Sequence, residues 1–224
     1  MKIIIFCGGK GTRINKSLKK KILKPLLIVK KKPLLKYIME VYSKHNFNHF
    51  ILLGGYKIKE LLKFKDKYSG KLKIDVINTG LNTNTGGRLL KIKDLIKNEP
   101  FFLTYGDSLI DYNPNNALKK WNRSKDLSIS AYSYMFPYGQ LDVINNGKLK
   151  NFNEKKEFLI NAGYYLLDKR IFQYIKGDES FEKKTLPRIL KSKKINFKIQ
   201  KTYNWFPIDT IEDKNKLKES LDET

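Results

Sequence analysis

MKIIIFCGGKGTRINKSLKKKILKP, residues 1–25, decides the reading of this chain. The unbroken apolar run at residues 3–7 reads as a buried strand. It stops at Gly8-Gly9, continues through Lys10-Gly11-Thr12-Arg13 and, after a short basic segment, meets Lys24-Pro25. Glycines let a backbone pass close to a ligand and turn its N–H groups inward, as phosphate oxygens require. One arginine and one lysine fixed by such a loop then neutralise a triphosphate. The stretch predicts a nucleoside triphosphate at the end of the first strand. A bare Gly-x-Gly also serves steric purposes in tight strand-to-helix turns, so the glycines do not decide the matter alone. No third glycine follows at the dinucleotide spacing, no acidic residue ends a second strand, and the terminal Gly-Lys-Ser/Thr of a Walker loop is missing.

Beyond this stretch, short apolar segments alternate with amphipathic ones, the pattern of a mainly parallel sheet covered by helices. Strands are expected over residues 2–7, 49–53, 73–78, 101–104 and 128–134. Residues 34–45 align Leu34, Tyr37, Ile38, Val41 and Tyr42 on one helical face, and residues 89–97 align Leu89, Ile92 and Ile96. After Pro137 the texture becomes hairpin-like: residues 140–144, a turn at Asn145-Asn146-Gly147, then residues 148–152. A strand over residues 161–167 and helices over 185–192 and 212–221 complete the expectation. The whole is read as one domain, with a nucleotide-binding half at residues 1–136 and an acceptor-binding half at 137–224.

Composition narrows the class. At 224 residues the chain is long enough to bury a substantial core, and no stretch approaches the roughly 18 apolar residues of a membrane span. The N-terminal apolar run is too short for a signal peptide, so a cytoplasmic setting is expected. Cys7 is the single cysteine, which excludes an internal disulfide and argues against a cysteine-based metal site. The net charge of +24 raises the question of nucleic acid, but only five of the 46 basic residues are arginines and the lysines spread along the whole chain. That spread is a compositional bias more than a binding stripe, so no nucleic-acid partner is expected. Attraction of polyanionic substrates is a by-product of the field.

Two further stretches carry chemistry. FFLTYGDSLID, residues 101–111, delivers Asp107 to the carboxyl end of a strand, where ligands bind in open α/β sheets. Such an aspartate suits Mg²⁺, which takes one or two carboxylates together with phosphate oxygens and water, or it caps the next element. NWFPIDTIEDK, residues 204–214, places Asp209 just before a predicted helix, where it is either a ligand or an N-cap. Asp111 is a weaker candidate. INTGLNTNTGGRLLKI, residues 77–92, is dense in short side chains and exposed amides that can read a base edge, or it is a generic polar loop.

GGKGTR followed by Lys24-Pro25 resembles the signature of the sugar nucleotidyltransferases, which join a nucleoside triphosphate to a sugar phosphate. The resemblance runs nearly end to end: GGYK at 54–57, TYGD at 104–107, FNEK at 152–155, INAGYY at 160–165 and FPIDTIEDK at 206–214. Residues 79–89 are close to the corresponding segment of glucose-1-phosphate cytidylyltransferases. The resemblance implies a Rossmann-like, mixed but mostly parallel sheet flanked by helices, with a small β-rich elaboration on the acceptor side. It implies CTP and a small phosphorylated acceptor as substrates, Mg²⁺ on Asp107 and Asp209, and a homo-oligomer. Gly8, Gly9, Gly11 and Thr12 would shape the phosphate loop, with Arg13 and Lys24 as the catalytic cations. Thr79, Thr85, Gly86 and Gly87 would form a surface for the base, with Arg88 beside it. Gly139, Lys155, Asn161 and Gly163 would hold the acceptor, though the segments around 139 and 156–159 are shorter than in these relatives.

Such chemistry needs no general base, because the attacking acceptor oxygen is already an oxyanion; His45 and His49 are accordingly read as structural. The shortened acceptor loops keep a second acceptor open, a smaller or more anionic phosphate such as the phosphoglutamine of related enzymes that make CDP-glutamine for capsule decoration. Thymidylyl or guanylyl transfer is disfavoured by the TGGR segment, and a catalytically silent homologue by the joint presence of Arg13, Lys24, Asp107 and Asp209. A basic nucleic-acid-binding protein is the competing reading from another class.

Overall fold

The computed structural model describes residues 1–222. Strand β1 (Lys2–Phe6) leads through the glycine loop into the short helix α1 (Thr12–Lys16), and a 3₁₀ turn at Lys24–Leu26 precedes a small hairpin, β2 (Ile28–Val29) and β3 (Lys32–Pro33). Then come α2 (Leu34–Ser43), β4 (His49–Gly54), α3 (Ile58–Tyr68), β5 (Lys73–Asn78), α4 (Thr85–Leu90), β6 (Phe101–Tyr105), β7 (Ser108–Ile110) and α5 (Pro114–Ser124). The second half holds β8 (Leu127–Met135), the hairpin β9 (Gln140–Val143) and β10 (Leu149–Asn153), and β11 (Glu157–Leu167). A π-helical turn at Phe181–Thr185 runs into α6 (Leu186–Ser192), followed by β12 (Phe197–Thr202), β13 (Trp205–Pro207) and α7 (Ile211–Ser220).

Seven strands form one sheet in the order β12-β8-β11-β6-β1-β4-β5. β11 runs against its neighbours, while the remaining strands share one direction. The expected mixed, mostly parallel α/β sheet is therefore present. β1 lies inside it, with Ile4 level with Ile51 on one side and Leu103 on the other. Its continuous apolar run has a direct cause: alternate side chains enter two separate cores. Ile3, Ile5 and Cys7 pack on one face with Leu34, Ile38 and Tyr42 of α2. Ile4 and Phe6 pack on the other face with Leu89 of α4 and Ile189 of α6. Burial on both faces locks the register of β1 and so the position of the loop that follows it.

Some expectations shift. The helix expected over residues 89–97 begins at Thr85 and ends at Leu90, with a separate 3₁₀ turn at Lys93–Leu95. The glycines that suggested a loop lie inside α4, where the missing side chains let it approach residues 178 and 179 closely. The strand expected over 161–167 extends back to Glu157, because its first residues pair with the outer end of β8 instead of facing a core. The edge strand β12 carries no strand signal, since only Thr202 is buried and its residues show no clear alternation. The hairpin expected after Pro137 is present as β9 and β10.

Candidate active site

The carboxyl ends of β1 and β6 open into a cavity of about 540 Å³, with a second of about 400 Å³ beside it. Gly11, at φ 57° in the left-handed region, turns the chain into α1. Asn15 laces the basic segment together: its amide donates to the carbonyls of Lys10 (2.8 Å) and Ile22 (3.0 Å), and its oxygen accepts from the Ile22 N–H (2.8 Å). The lacing returns the chain so that Lys24, almost fully buried, stands under the glycine loop. Gly106 sits where a Cβ would fall 2.7 Å from Pro25, so only glycine lets the β6 end lie against the Lys24-Pro25 turn. That approach brings Asp107 to Lys24.

The resulting charge chain is the centre of the site. The Lys24 ammonium donates to Asp107 Oδ2 at 3.0 Å and to Asp209 Oδ1 at 2.6 Å, and Arg13 Nη1 lies 2.5 Å from Asp209 Oδ2. A buried ammonium is tolerable only when paired and hydrogen-bonded in this way. The capping alternatives for both aspartates fall. Thr210 is the N-cap of α7, in a reciprocal capping box with Asp213, and the Asp213 carboxylate also accepts from the Asp209 N–H at 2.9 Å. Asp107 is followed by β7, and its side chain bonds Lys24. Asp111 lines a separate small cavity beside Tyr112 and Gln200.

Asp107 and Asp209 converge on one ammonium, so two hard carboxylate oxygens meet at one place. No group of three or more His, Cys, Asp or Glu that could hold a metal exists among the described residues. This donor set fits a cation that keeps waters and takes phosphate oxygens, which is the habit of Mg²⁺. Cys7, on the cavity floor, is inert: burial pushes its thiol pKa up, with the Asp107 charge adding to the effect.

Gly8, Gly9, Gly11, Thr12, Arg13, Lys24, Thr85, Arg88, Asp107 and Asp209 all line the larger cavity. The base-reading segment needs correction. Arg88 is 5% exposed and turned onto the backbone: it donates to the carbonyls of Gly54 (2.9 Å), Gly80 (3.0 Å) and Gly8 (3.3 Å) and to the Thr79 hydroxyl. It staples the carboxyl ends of β1, β4 and β5 into one floor. Desolvation lowers its pKa, opposed by Asp178, and guanidinium remains charged regardless. A Cβ at Gly8 would meet this guanidinium at 2.2 Å. Thr79 is fully buried, donating to the Gly54 carbonyl at 2.6 Å, and does not line the cavity. Gly86 and Gly87 face Glu179 and Asp178, away from it. Thr83, Asn84 and Thr85 form that wall instead.

On the acceptor side, Asn161 and Gly163 line the smaller cavity. They share a β-bulge, where the Asn161 side chain accepts from the Gly163 N–H (3.0 Å) and donates to the Tyr165 hydroxyl (2.7 Å). Gly139 and Lys155 are not brought to either cavity. Gly139 packs under the Phe152 ring, and Lys155 occupies the left-handed turn between β10 and β11. The sequence reading missed Ser180, Glu182 and Lys183, which line both cavities, and Tyr105, which joins them. It also missed Trp205 on the smaller one, although that residue belongs to the stretch carrying Asp209. The Glu182 carboxyl accepts from Thr85 and Ser180, each at 2.9 Å, and burial raises its pKa. No local spacing marks residues 180–183, since their partners lie in α4.

Comparison with known proteins identifies the family. The family model described as "Nucleotidyl transferase" matches residues 2–222. The probable glucose-1-phosphate cytidylyltransferase of Bacillus subtilis is 32% identical over 238 residues, covering 94% of this chain and 92% of that protein. The D-glycero-alpha-D-manno-heptose 1-phosphate guanylyltransferase of Campylobacter jejuni is 35% identical over 187 residues, covering 81% of this chain and 82% of that protein. The crystal structure of HddC from Yersinia pseudotuberculosis complexed with GMP-PN matches with a TM-score of 0.75 at 27% identity, covering 98% of this chain and 99% of that one.

Proposed function

The chain belongs to the nucleotidyl transferase family, and on that premise we propose that it is a Mg²⁺-dependent cytidylyltransferase acting on CTP and a sugar 1-phosphate, most simply glucose 1-phosphate. The products are a CDP-activated sugar and pyrophosphate. The observation that carries the reading is the charge chain Arg13–Asp209–Lys24–Asp107 at the seam of two adjoining cavities. Both volumes fall in the range of small-molecule pockets, so the two together can hold two substrates side by side.

An acceptor phosphate oxygen attacks the α-phosphorus of the nucleotide in line. The new P–O bond forms as the bond to the β-phosphate bridging oxygen breaks, and pyrophosphate leaves with that electron pair. No proton has to be removed, so catalysis is positioning and charge stabilisation. The glycine loop presents backbone N–H groups to the phosphates, Arg13 neutralises the departing pyrophosphate, and Lys24 holds the α-phosphate at the seam. Mg²⁺ would be held by Asp107 and Asp209 and supplies charge to the phosphate oxygens. Neither histidine takes part: His49 pairs with Asp75 at the amino end of β4, and His45 lies beside Asn115.

The Bacillus subtilis relative supports CTP and glucose 1-phosphate. Tyr105 and Trp205, which line the smaller cavity, each keep a buried polar atom without a partner, a cost that a hydroxyl-rich acceptor relieves after small shifts. A second reading, GTP with a heptose 1-phosphate, is favoured by the Campylobacter jejuni relative. The test is pyrophosphate release with Mg²⁺, crossing CTP, UTP, dTTP, GTP and ATP with glucose 1-phosphate, heptose 1-phosphate, other sugar 1-phosphates and phosphoglutamine. CTP-dependent release with a sugar 1-phosphate supports the first reading. GTP dependence replaces it with the second, release with phosphoglutamine moves the acceptor class, and silence with every pair sinks both.

A further inference from the structure

We propose that Lys183 is the cation that receives the acceptor phosphate, and that contacts between residues 178–182 and the start of α4 set its position. The inference rests on the proposed transfer to a phosphorylated acceptor. Three cations, Arg13, Lys24 and Lys183, line both cavities. Two already have carboxylate partners: Arg13 pairs with Asp209, and Lys24 with Asp107 and Asp209. Lys183 is exposed, and its ammonium makes no ion pair or hydrogen bond among the described residues. A dianionic phosphate entering the seam meets one ammonium whose charge is not offset by a neighbour, and the charge-assisted bond forms there. Lys155, which the sequence pattern offered for this duty, lies outside both cavities.

The segment bearing Lys183 is tied to the nucleotide side by a ladder of short bonds. The Asn84 N–H donates to Asp178 Oδ1 (2.7 Å), and the Gly86 N–H to the Glu179 carbonyl (2.8 Å). The Phe181 N–H donates to Thr85 Oγ1 (2.8 Å), whose hydroxyl in turn donates to Glu182 Oε2 (2.9 Å). The Lys183 N–H closes the ladder on Ser180 Oγ at 3.2 Å. The π-helical turn holds this one lysine at the seam while the next, Lys184, lies outside both cavities; single π turns recur at functional sites. The wall that contacts the nucleotide therefore also fixes the base of the acceptor's cation.

Steady-state kinetics of the full chain, Lys183→Ala and Lys183→Arg test this, using whichever nucleotide and acceptor the wild type turns over. Lys183→Ala is expected to raise the acceptor KM about 10- to 100-fold while the nucleotide KM moves less than about twofold, and Lys183→Arg to restore most of the difference. An unchanged acceptor KM in Lys183→Ala, or an equal rise in both KM values, overturns the assignment. Calorimetric titration with inorganic phosphate, at a saturating concentration of whichever nucleotide the protein binds by calorimetry, reads the same site without turnover, and is expected to show weaker binding in Lys183→Ala. Equal affinity there overturns the inference even if the wild type is inactive, whereas inactivity alone counts only against the proposed reaction.

Discussion

The cleft at the ends of β1 and β6 and the arm formed by β9, β10 and the outer ends of β8 and β11 are built on opposite principles. In the cleft polar side chains are tied down by several bonds each: Arg88 closes on three carbonyls, Asn15 on two, and Lys24 on two carboxylates. In the arm, apolar side chains face solvent. Among the described residues, eleven of the 18 exposed large hydrophobic side chains fall between residues 134 and 160, including Tyr138, Leu141, Leu149 and Phe152. β9 and β10 pair with each other and with no strand of the main sheet. An isolated two-stranded ribbon has little stability of its own. The cleft is over-determined by its surroundings, and the arm is held mainly at its base. Precision is concentrated where phosphate chemistry needs it.

The sharpest way to break this contrast is to remove a member of the charge chain. Lys24→Ala or Asp107→Asn is expected to lower kcat/KM by about 10²- to 10³-fold with the circular dichroism spectrum intact; a soluble variant with near-normal rates would remove that residue from the chemistry. Next comes the floor. Arg88→Met keeps much of the volume but strips the carbonyls of Gly8, Gly54 and Gly80 of their shared donor. Denaturant unfolding should show a loss of roughly 2–4 kcal/mol, and a loss below about 0.5 kcal/mol would show that the staple is dispensable.

A smaller effect is expected at Glu179, whose carboxyl is held at about 2, chiefly by its bond to Arg188, against an ordinary value of 4.5. Because its pKa is depressed on folding, its contribution is present above the ordinary value and is lost as pH falls from 4.5 toward about 2. Glu179→Gln should lower Tm at pH 7 by at most about 4 °C, and the two melting curves should converge near pH 2. A gap that persists at low pH would assign the difference to packing. Smallest of all, Phe152→Ser in the arm should change unfolding free energy by no more than about 0.5 kcal/mol; a large loss would mean the arm is integral to the fold after all.

Legibility in the sequence follows the same division. β1 and β6 were readable because burial on both faces writes a continuous apolar run, and the glycine loop and Asp107 were readable because they directly follow those runs. Helix α3 and the edge strand β12 were not, since few of their residues are buried and lysines dilute the pattern. The capping ambiguity at Asp209 was resolved by Thr210 and Asp213, whose Thr-x-x-Asp spacing was open to inspection. Gly86 and Gly87 misled because glycine in a polar run signals a loop, whereas here it permits close packing of a helix.

The sequence by itself determined the family and a mainly parallel sheet and offered the residues of the charge chain as candidates, because apolar stretches, glycine turns and the short motifs beside them are local signals. Tertiary structure alone decided what those residues face. It closed the Arg88 guanidinium on three backbone carbonyls at the edge of the larger cavity, left Lys155 outside both cavities and brought residues 180–183 against α4. The physical reason is that a hydrogen bond or ion pair is specified by distance in space, and Thr85 and Glu182 meet across 97 residues that no spacing rule connects.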